Sequence, residues 1–261
     1  MPDNALEHHN LAQIEALNQR GGRMLSVVDL LRAGTMNLEM AAFLCAVVGR
    51  GASFLSAAVP GGAGKTTVMA ALLAFLPPDI EIVTVEDDGV IAGASSSGDG
   101  RRCYLAHEIG AGHFYGYIRG RAARDYLDLA RRGHLIATGL HADTLPQLRG
   151  MLLSAPISAN EQALAVLDFA LFVAAQRRGS SVRRRVSVVH AGAGADAPLL
   201  FEWRNAADNF ERHEDLDRYA PAQTRRALTV LLEDLAERKV HRLEDVRVAY
   251  LNFRSGGDVL R

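Results

Sequence analysis

Between residues 36 and 180, short apolar runs alternate with amphipathic segments, so strands and helices are expected in alternation. MNLEMAAFLCAVVGRG, residues 36–51, has apolar residues on a helical period, with Asn37 placed as N-cap and Gly51 as stop. SFLSAAV then reads as a buried strand, KTTVMAALLAF from Lys65 to about Phe75 as a helix broken by PPD, and IEIVTVEDD as a strand ending in three acids at 86–88. GASSSGDG, residues 93–100, reads as a flexible loop. RCYLAHE and GHFYGYI read as short strands, RGRAARDYLDLARRGH as an amphipathic helix and LIATGLH as a strand. ALAVLDFALFVAAQRR begins as strand or buried helix, and periodicity leaves that open. From residue 182, two strands frame a glycine-alanine turn, and helices follow from about 222 to 252. Residues 1–30 look helical and polar, with LAQIEAL on a helical period, and suggest an arm or a lid. The pattern predicts an α/β fold in three parts: an arm at 1–30, an α/β core at 31–215 and a helical extension at 216–261.

The 261 residues are 49% apolar and 23% charged, with a formal net charge of -1. That balance gives no global field toward nucleic acid or anionic lipid, so nucleic acid is not an expected partner. Cys45 and Cys103 lie far apart, which argues against a disulfide framework or zinc site and suits a reducing cytoplasm. MPDNALEHHN lacks the regions of a signal peptide, and no apolar run is long enough for a membrane span. Of the 29 basic residues only Lys65 and Lys239 are lysines. One of the two stands in GAGKTT, where a compact, mobile ammonium suits phosphate better than a planar guanidinium.

SAAVPGGAGKTTVMAALLAF, residues 56–75, places a glycine turn between a strand and a helix, the context of a phosphate-binding loop. Gly61, Gly62, Ala63, Gly64, Lys65, Thr66 and Thr67 are the candidate nucleotide-binding residues. The glycines let main-chain N–H groups approach phosphate oxygens, Lys65 would reach the β- and γ-phosphates, and Thr66 would hold Mg²⁺. Val59 stands where the common pattern has its first glycine, which requires a negative φ there. The alternative is a glycine-rich turn that binds nothing.

Four blocks extend the reading. LLRAGTMNLEMAAFLCAVVGRGASFLSAAVPGGAGKTTVMAALLAFLPPDIEIVTVEDD, GYIRGRAARDYLDLARRGHLIATGLHADTLPQLRGML, VLDFALFV, and RRRVSVVHAG with LLFEWRNAADNFER occur in the order found in the ATPases of type II and type IV secretion, type IV pili and archaeal surface filaments. The chain resembles that family over roughly residues 30–215. The resemblance implies a RecA-like P-loop core with a β-rich edge and a helical C-terminal cap, ATP and Mg²⁺ as ligands, and Mg²⁺-dependent hydrolysis. It also implies a homo-oligomeric ring, a hexamer, working with membrane-platform or filament-assembly proteins at the inner face of the membrane.

Carried over position by position, Glu86 and Asp87 would form the acidic box, with Glu86 polarising the attacking water. His134 and His141 would form the histidine box, with His141 near the γ-phosphate. An alignment without a gap puts Gly116 and Tyr117 where the family has Gly-Glu, so the Walker B glutamate is expected to be replaced by Tyr117. Glu108 could serve only by breaking that register. The family's large N-terminal domain, its source of trans arginines, is reduced to about 30 residues, with Arg32 and Arg50 as candidates to reach a neighbour. The second reading is therefore a degenerate, non-hydrolysing subunit that regulates or completes a ring with an active partner. A small-molecule kinase would further need a lid and an acceptor pocket that the text does not locate.

Overall fold

The computed structural model describes residues 4–18, 21–59, 61–94, 100–110 and 115–256. Most of the loop expected at 93–100, the opening of GHFYGYI, Arg20 and Pro60 lie outside those residues. In chain order the elements are α1 Asn4–Ala16, α2 Val27–Arg32, α3 Leu38–Val48, β1 Phe54–Ala57, α4 Lys65–Leu73, β2 Glu81–Thr84, α5 Asp88–Ala94, β3 Arg102–Ile109, β4 Tyr117–Ile118 and α6 Gly120–Arg131. They continue with β5 Leu135–Leu140, α7 Leu145–Leu153, α8 Glu161–Ala165, β6 Phe169–Arg178, β7 Ser181–His190, β8 Leu199–Arg204, β9 Asn209–Arg212, α9 Ala222–Glu237 and α10 Leu243–Ser255.

One sheet runs β2-β3-β5-β1-β6-β7-β8-β9, with β4 beside the end of β3. Pairings up to β1–β6 are parallel, and those from β6 onward are antiparallel. The central parallel strands β1, β3 and β5 are buried on both faces, which is why their sequences read as nearly continuous apolar runs. Alternate residues feed two cores. Cys103, Leu105, Phe169 and Leu171 face one with α1 to α4, α9 and α10; Tyr104, Ala106, Ala170 and Phe172 face the other with α5 to α8. The result is a three-layer α/β/α arrangement.

The segment left open by periodicity divides into α8 and β6. Asn160 caps α8 by accepting from the Ala163 N–H at 2.8 Å, and Asp168 accepts from the Ser53 N–H at 2.7 Å, which fixes the start of β6. Aromatic and branched residues then carry the strand.

The first residues are not a free arm. Asn10 donates to the Ile80 carbonyl at 2.9 Å and accepts from the Ile82 N–H at 2.7 Å, so α1 covers the open edge of β2. Glu7 and Arg247 form a buried, two-pronged ion pair at 2.7 Å between α1 and α10. Arg247 also donates to the carbonyls of Ala74, at 3.1 Å, and Leu76, at the C-terminal end of α4. Ile14 and Leu17 at one end of the chain share a single core with Leu228, Leu232 and Tyr250 at the other.

Candidate functional site

The site is built where β1, β3 and β5 end. After β1 the chain turns through Gly61 to Gly64 and enters α4 at Lys65. Gly64 holds φ +107° at the helix entrance, a conformation that side-chain-bearing residues rarely adopt. Val59 is not among the non-glycine residues with positive φ, so the chain leaves β1 without the glycine the common pattern has there. Its N–H donates to Asp143 Oδ1 at 2.8 Å, which ties the loop to the segment after β5. Ser56 Oγ donates to the Lys65 carbonyl at 3.1 Å, tying β1 to the first turn of α4.

Lys65 is 8% exposed, and its ammonium lies 3.0 Å from Glu108 Oε2 on β3. Glu108 is 5% exposed, and its other oxygen lies 2.8 Å from His141 Nε2 just after β5. The triangle closes with His141 Nδ1 at 3.3 Å from the ammonium, which also donates to the Ala58 carbonyl at 3.3 Å. An imidazole protonated on Nε2 donates to the carboxylate and accepts from the ammonium, whereas the Val59 carbonyl, 3.2 Å from Nδ1, is served only by a proton on Nδ1.

A bulge puts Glu108 there. Ala106 pairs with Thr138 and Ile109 with Leu140, so two residues of β3, His107 and Glu108, stand opposite Gly139 alone. Bulges re-aim side chains in this way. Gly139 is needed for the fit, since a Cβ there would meet the His107 carbonyl oxygen at 2.8 Å and lie 3.8 Å from Lys65 Cε. β4 flanks the bulge from the other side, pairing Tyr117 with Glu108.

A cavity of about 720 Å³ opens over these residues. Gly61, Gly62, Ala63, Gly64, Lys65, Thr66 and Thr67 all line it, with Glu108, Tyr117 and His141. Its outer walls are the segment around Leu17 to Thr35 and the β6–β7 hairpin from Ser181 to Arg185. It is large enough for a nucleotide-sized ligand.

The other predicted residues are placed elsewhere. Glu86 is exposed after β2, accepts from the Tyr115 hydroxyl at 2.5 Å, and does not line the cavity. That bond pushes the Tyr115 phenol up. Asp87 accepts from the N–H groups of Gly89 and Val90, at 2.7 and 3.2 Å, and so serves the start of α5. His134 lies at the opposite end of β5 from His141, where it accepts from the Arg102 N–H at 3.3 Å and meets the Tyr104 ring edge-on. Burial, helped by Arg102, Arg132 and Arg101, pushes its pKa below the usual histidine value. A carboxylate does stand beside the lysine: it is Glu108 on β3, with Tyr117 paired to it from β4.

Glu108 left a signal in the sequence, because a carboxylate inside the apolar run CYLAHEI is costly to bury unless it is paired. Its partner could not be seen without the bulge. Arg184, whose Nε donates to the Gly62 carbonyl at 3.0 Å, also went unmarked, since only the hairpin brings it to the loop.

Among the described residues no group of three or more histidine, cysteine and acidic side chains forms a metal cage, and no helix is long and apolar enough to cross a membrane. Thr66 beside Lys65 fits the other way of holding Mg²⁺, by one hydroxyl together with a nucleotide's own phosphate oxygens.

The fold and site together define an α/β protein with a glycine loop, a lysine and a buried acid at the C-terminal ends of parallel strands. No family model matches the chain. It is 28% identical over 208 residues to a protein of Methanocaldococcus jannaschii described only as uncharacterized, a match over 70% of this chain and 77% of that one. A solved structure similar to it is the VirB11 ATPase of the Brucella suis type IV secretion system in complex with sulphate, at TM-score 0.40 and 18% identity. That match covers 78% of this chain and 57% of the other, and at this level it carries no assignment.

Proposed function

We propose that the chain binds ATP at the Gly61–Thr67 loop and hydrolyses it, as a RecA-like motor subunit of the kind found in secretion and pilus ATPases. The observation that supports this most is Glu108, buried and held between Lys65 and His141 at the mouth of the glycine loop. A carboxylate buried with one cation and one imidazole, beside main-chain N–H donors, offers a base and phosphate-binding groups of the kind that hydrolysis of a phosphoanhydride uses.

The N–H groups of the loop and of the first turn of α4 hold phosphate oxygens, aided by the helix dipole. Lys65, on its flexible stem, exchanges Glu108 for the β- and γ-phosphates. Glu108, so released, orients a water and accepts its proton as the water oxygen attacks the γ-phosphorus and the bond to the bridging oxygen breaks. His141 donates from Nε2 toward the γ-phosphate and reports its presence to the segment after β5. Mg²⁺, when held by Thr66, supplies neutralisation of the phosphate charge.

A hexameric ring, a membrane platform or filament as its load, and a cytoplasmic setting form the outer part of the proposal, supported by the sequence resemblance. The test is phosphate release from ATP and Mg²⁺ by the wild type and Glu108→Gln, with binding of a labelled ATP analogue measured in parallel. Turnover lost in the variant while binding persists is the expected result. Binding without turnover in the wild type would favour the non-hydrolysing subunit, and absence of binding would remove the loop assignment.

A further inference from the structure

The β6–β7 hairpin carries three consecutive arginines, and they do different things. Arg183 and Arg185 both engage Asp208, at 3.1 Å and at 2.9 and 3.0 Å, and Arg185 adds the Ala33 carbonyl at 3.1 Å. Arg185 foremost, with Trp203 and Arg183 assisting, holds the Asp208 carboxyl down at about 2. These two arginines therefore share one carboxylate and serve to anchor the hairpin.

Arg184 points the other way along the strand alternation and lies over the glycine loop. Its Nε donates to the Gly62 carbonyl at 3.0 Å, and its Cδ is 3.5 Å from where a Cβ on Gly64 would stand. Among the described residues it has no carboxylate partner, and it lines the same cavity as Lys65, Thr66, Glu108 and His141. Lys65 is already balanced by Glu108. Among the described residues Arg184 is thus a cation over the loop with no carboxylate beside it, and with Nε on Gly62 its terminal nitrogens still carry four N–H donors.

We propose that Arg184 is a phosphate-contacting residue supplied by the same chain, closing the hairpin onto the outer phosphates of the bound nucleotide while its Nε bond holds the loop open toward them. The proposal rests on the nucleotide reading above. A guanidinium presents a planar fork to phosphate, so its contribution grows with the number of terminal phosphate oxygens it can reach. A merely structural role would affect every ligand equally.

The experiment is competition against a fluorescent ATP analogue, using the full chain as wild type, Arg184→Ala, Arg184→Gln and Arg184→Lys, with ATP, ADP and adenosine as competitors and thermal unfolding as the check on folding. Loss of Arg184 is expected to weaken ATP by about tenfold or more, the range of a hydrogen bond to a charged group. ADP should weaken less, adenosine should be unchanged, and lysine should restore part of the loss. Arg184→Gln keeps most of the stem and serves if the alanine variant fails to fold. ATP affinity within about twofold of wild type in folded variants, or equal weakening of all three ligands, overturns the role of Arg184 alone. A wild type that binds none of the three overturns the nucleotide reading and this proposal with it.

Discussion

Two acids stand near the ends of adjacent parallel strands, and the sheet treats them oppositely. Glu86 follows β2 at the rim, exposed, in a run of three acids, bonded to a tyrosine hydroxyl. Glu108 lies on β3, buried and paired with a lysine and a histidine. Strand order accounts for the difference. β2 lies three positions from β1 and β3 lies two, with neighbouring strands about 4.8 Å apart, and the one strand between β3 and β1 presents Gly139 at the crossing. A lysine stem spans that gap and not the next. An acid is placed for chemistry by its strand's rank in the sheet and by what the intervening strand leaves open, more than by its membership of an acidic cluster.

The comparison breaks most visibly at the two acids themselves. Glu108→Gln should reduce ATP turnover by about 10²–10⁴-fold, the scale of a general base, while Glu86→Gln should stay within about twofold. Phosphate release under saturating ATP decides it, and the reverse order would return the water-activating role to the rim of the sheet. The same pair differs in stability. Glu108→Ala leaves a buried ammonium unpaired, for about 3–5 kcal/mol in chemical denaturation, whereas Glu86→Ala should fall within about 0.5 kcal/mol.

The two histidines sharpen the contrast along one strand. The six residues of β5 put His134 and His141 seven steps apart, which at about 3.3 Å per step is some 23 Å. His141→Ala should lower turnover by about tenfold or more with little change in melting temperature. His134→Ala should leave turnover alone and cost about 1 kcal/mol, through the lost acceptor of the Arg102 N–H. Measuring turnover and melting temperature on both variants checks the division.

The smallest effect is in pH. Burial pushes His107, His134 and His190 below the ordinary histidine value of 6.5. The unfolded chain then binds more protons than the folded one once pH drops below about 6.5, so stability is full above that value and is lost as pH falls toward the folded pKa values. Denaturant midpoints between pH 8 and pH 5 should show the decline, and His134→Ala should reduce its slope without altering activity at pH 8.

Much of the frame could be read from the chain alone. The strand, glycine turn and helix around Lys65 were legible because their chemistry is local, and the layers followed from strands and helices alternating. What escaped depended on distant pairing. The first helix looked like a polar arm because Glu7 and Asn10 are polar, but both are buried against Arg247 and the edge of β2. An ungapped register passes over Glu108 because it makes no allowance for the bulge in β3. The resemblance pairs His134 with His141, yet the six residues of β5 lie between them and hold them at opposite ends of the strand.

Glu7 and Arg247 clasp the first and last described helices together at the foot of α4, with Arg247 also gripping the carbonyls of Ala74 and Leu76. The head of the same nine-residue helix bears Lys65 and Thr66. Such a helix is a stiff rod of about 14 Å. Any tilt that nucleotide binding imposes at its head is delivered at its foot, to the joint between both terminal helices. On the proposed reading the joint would act as a fulcrum, and a pair of dyes on α1 and α10 would report nucleotide-driven movement there.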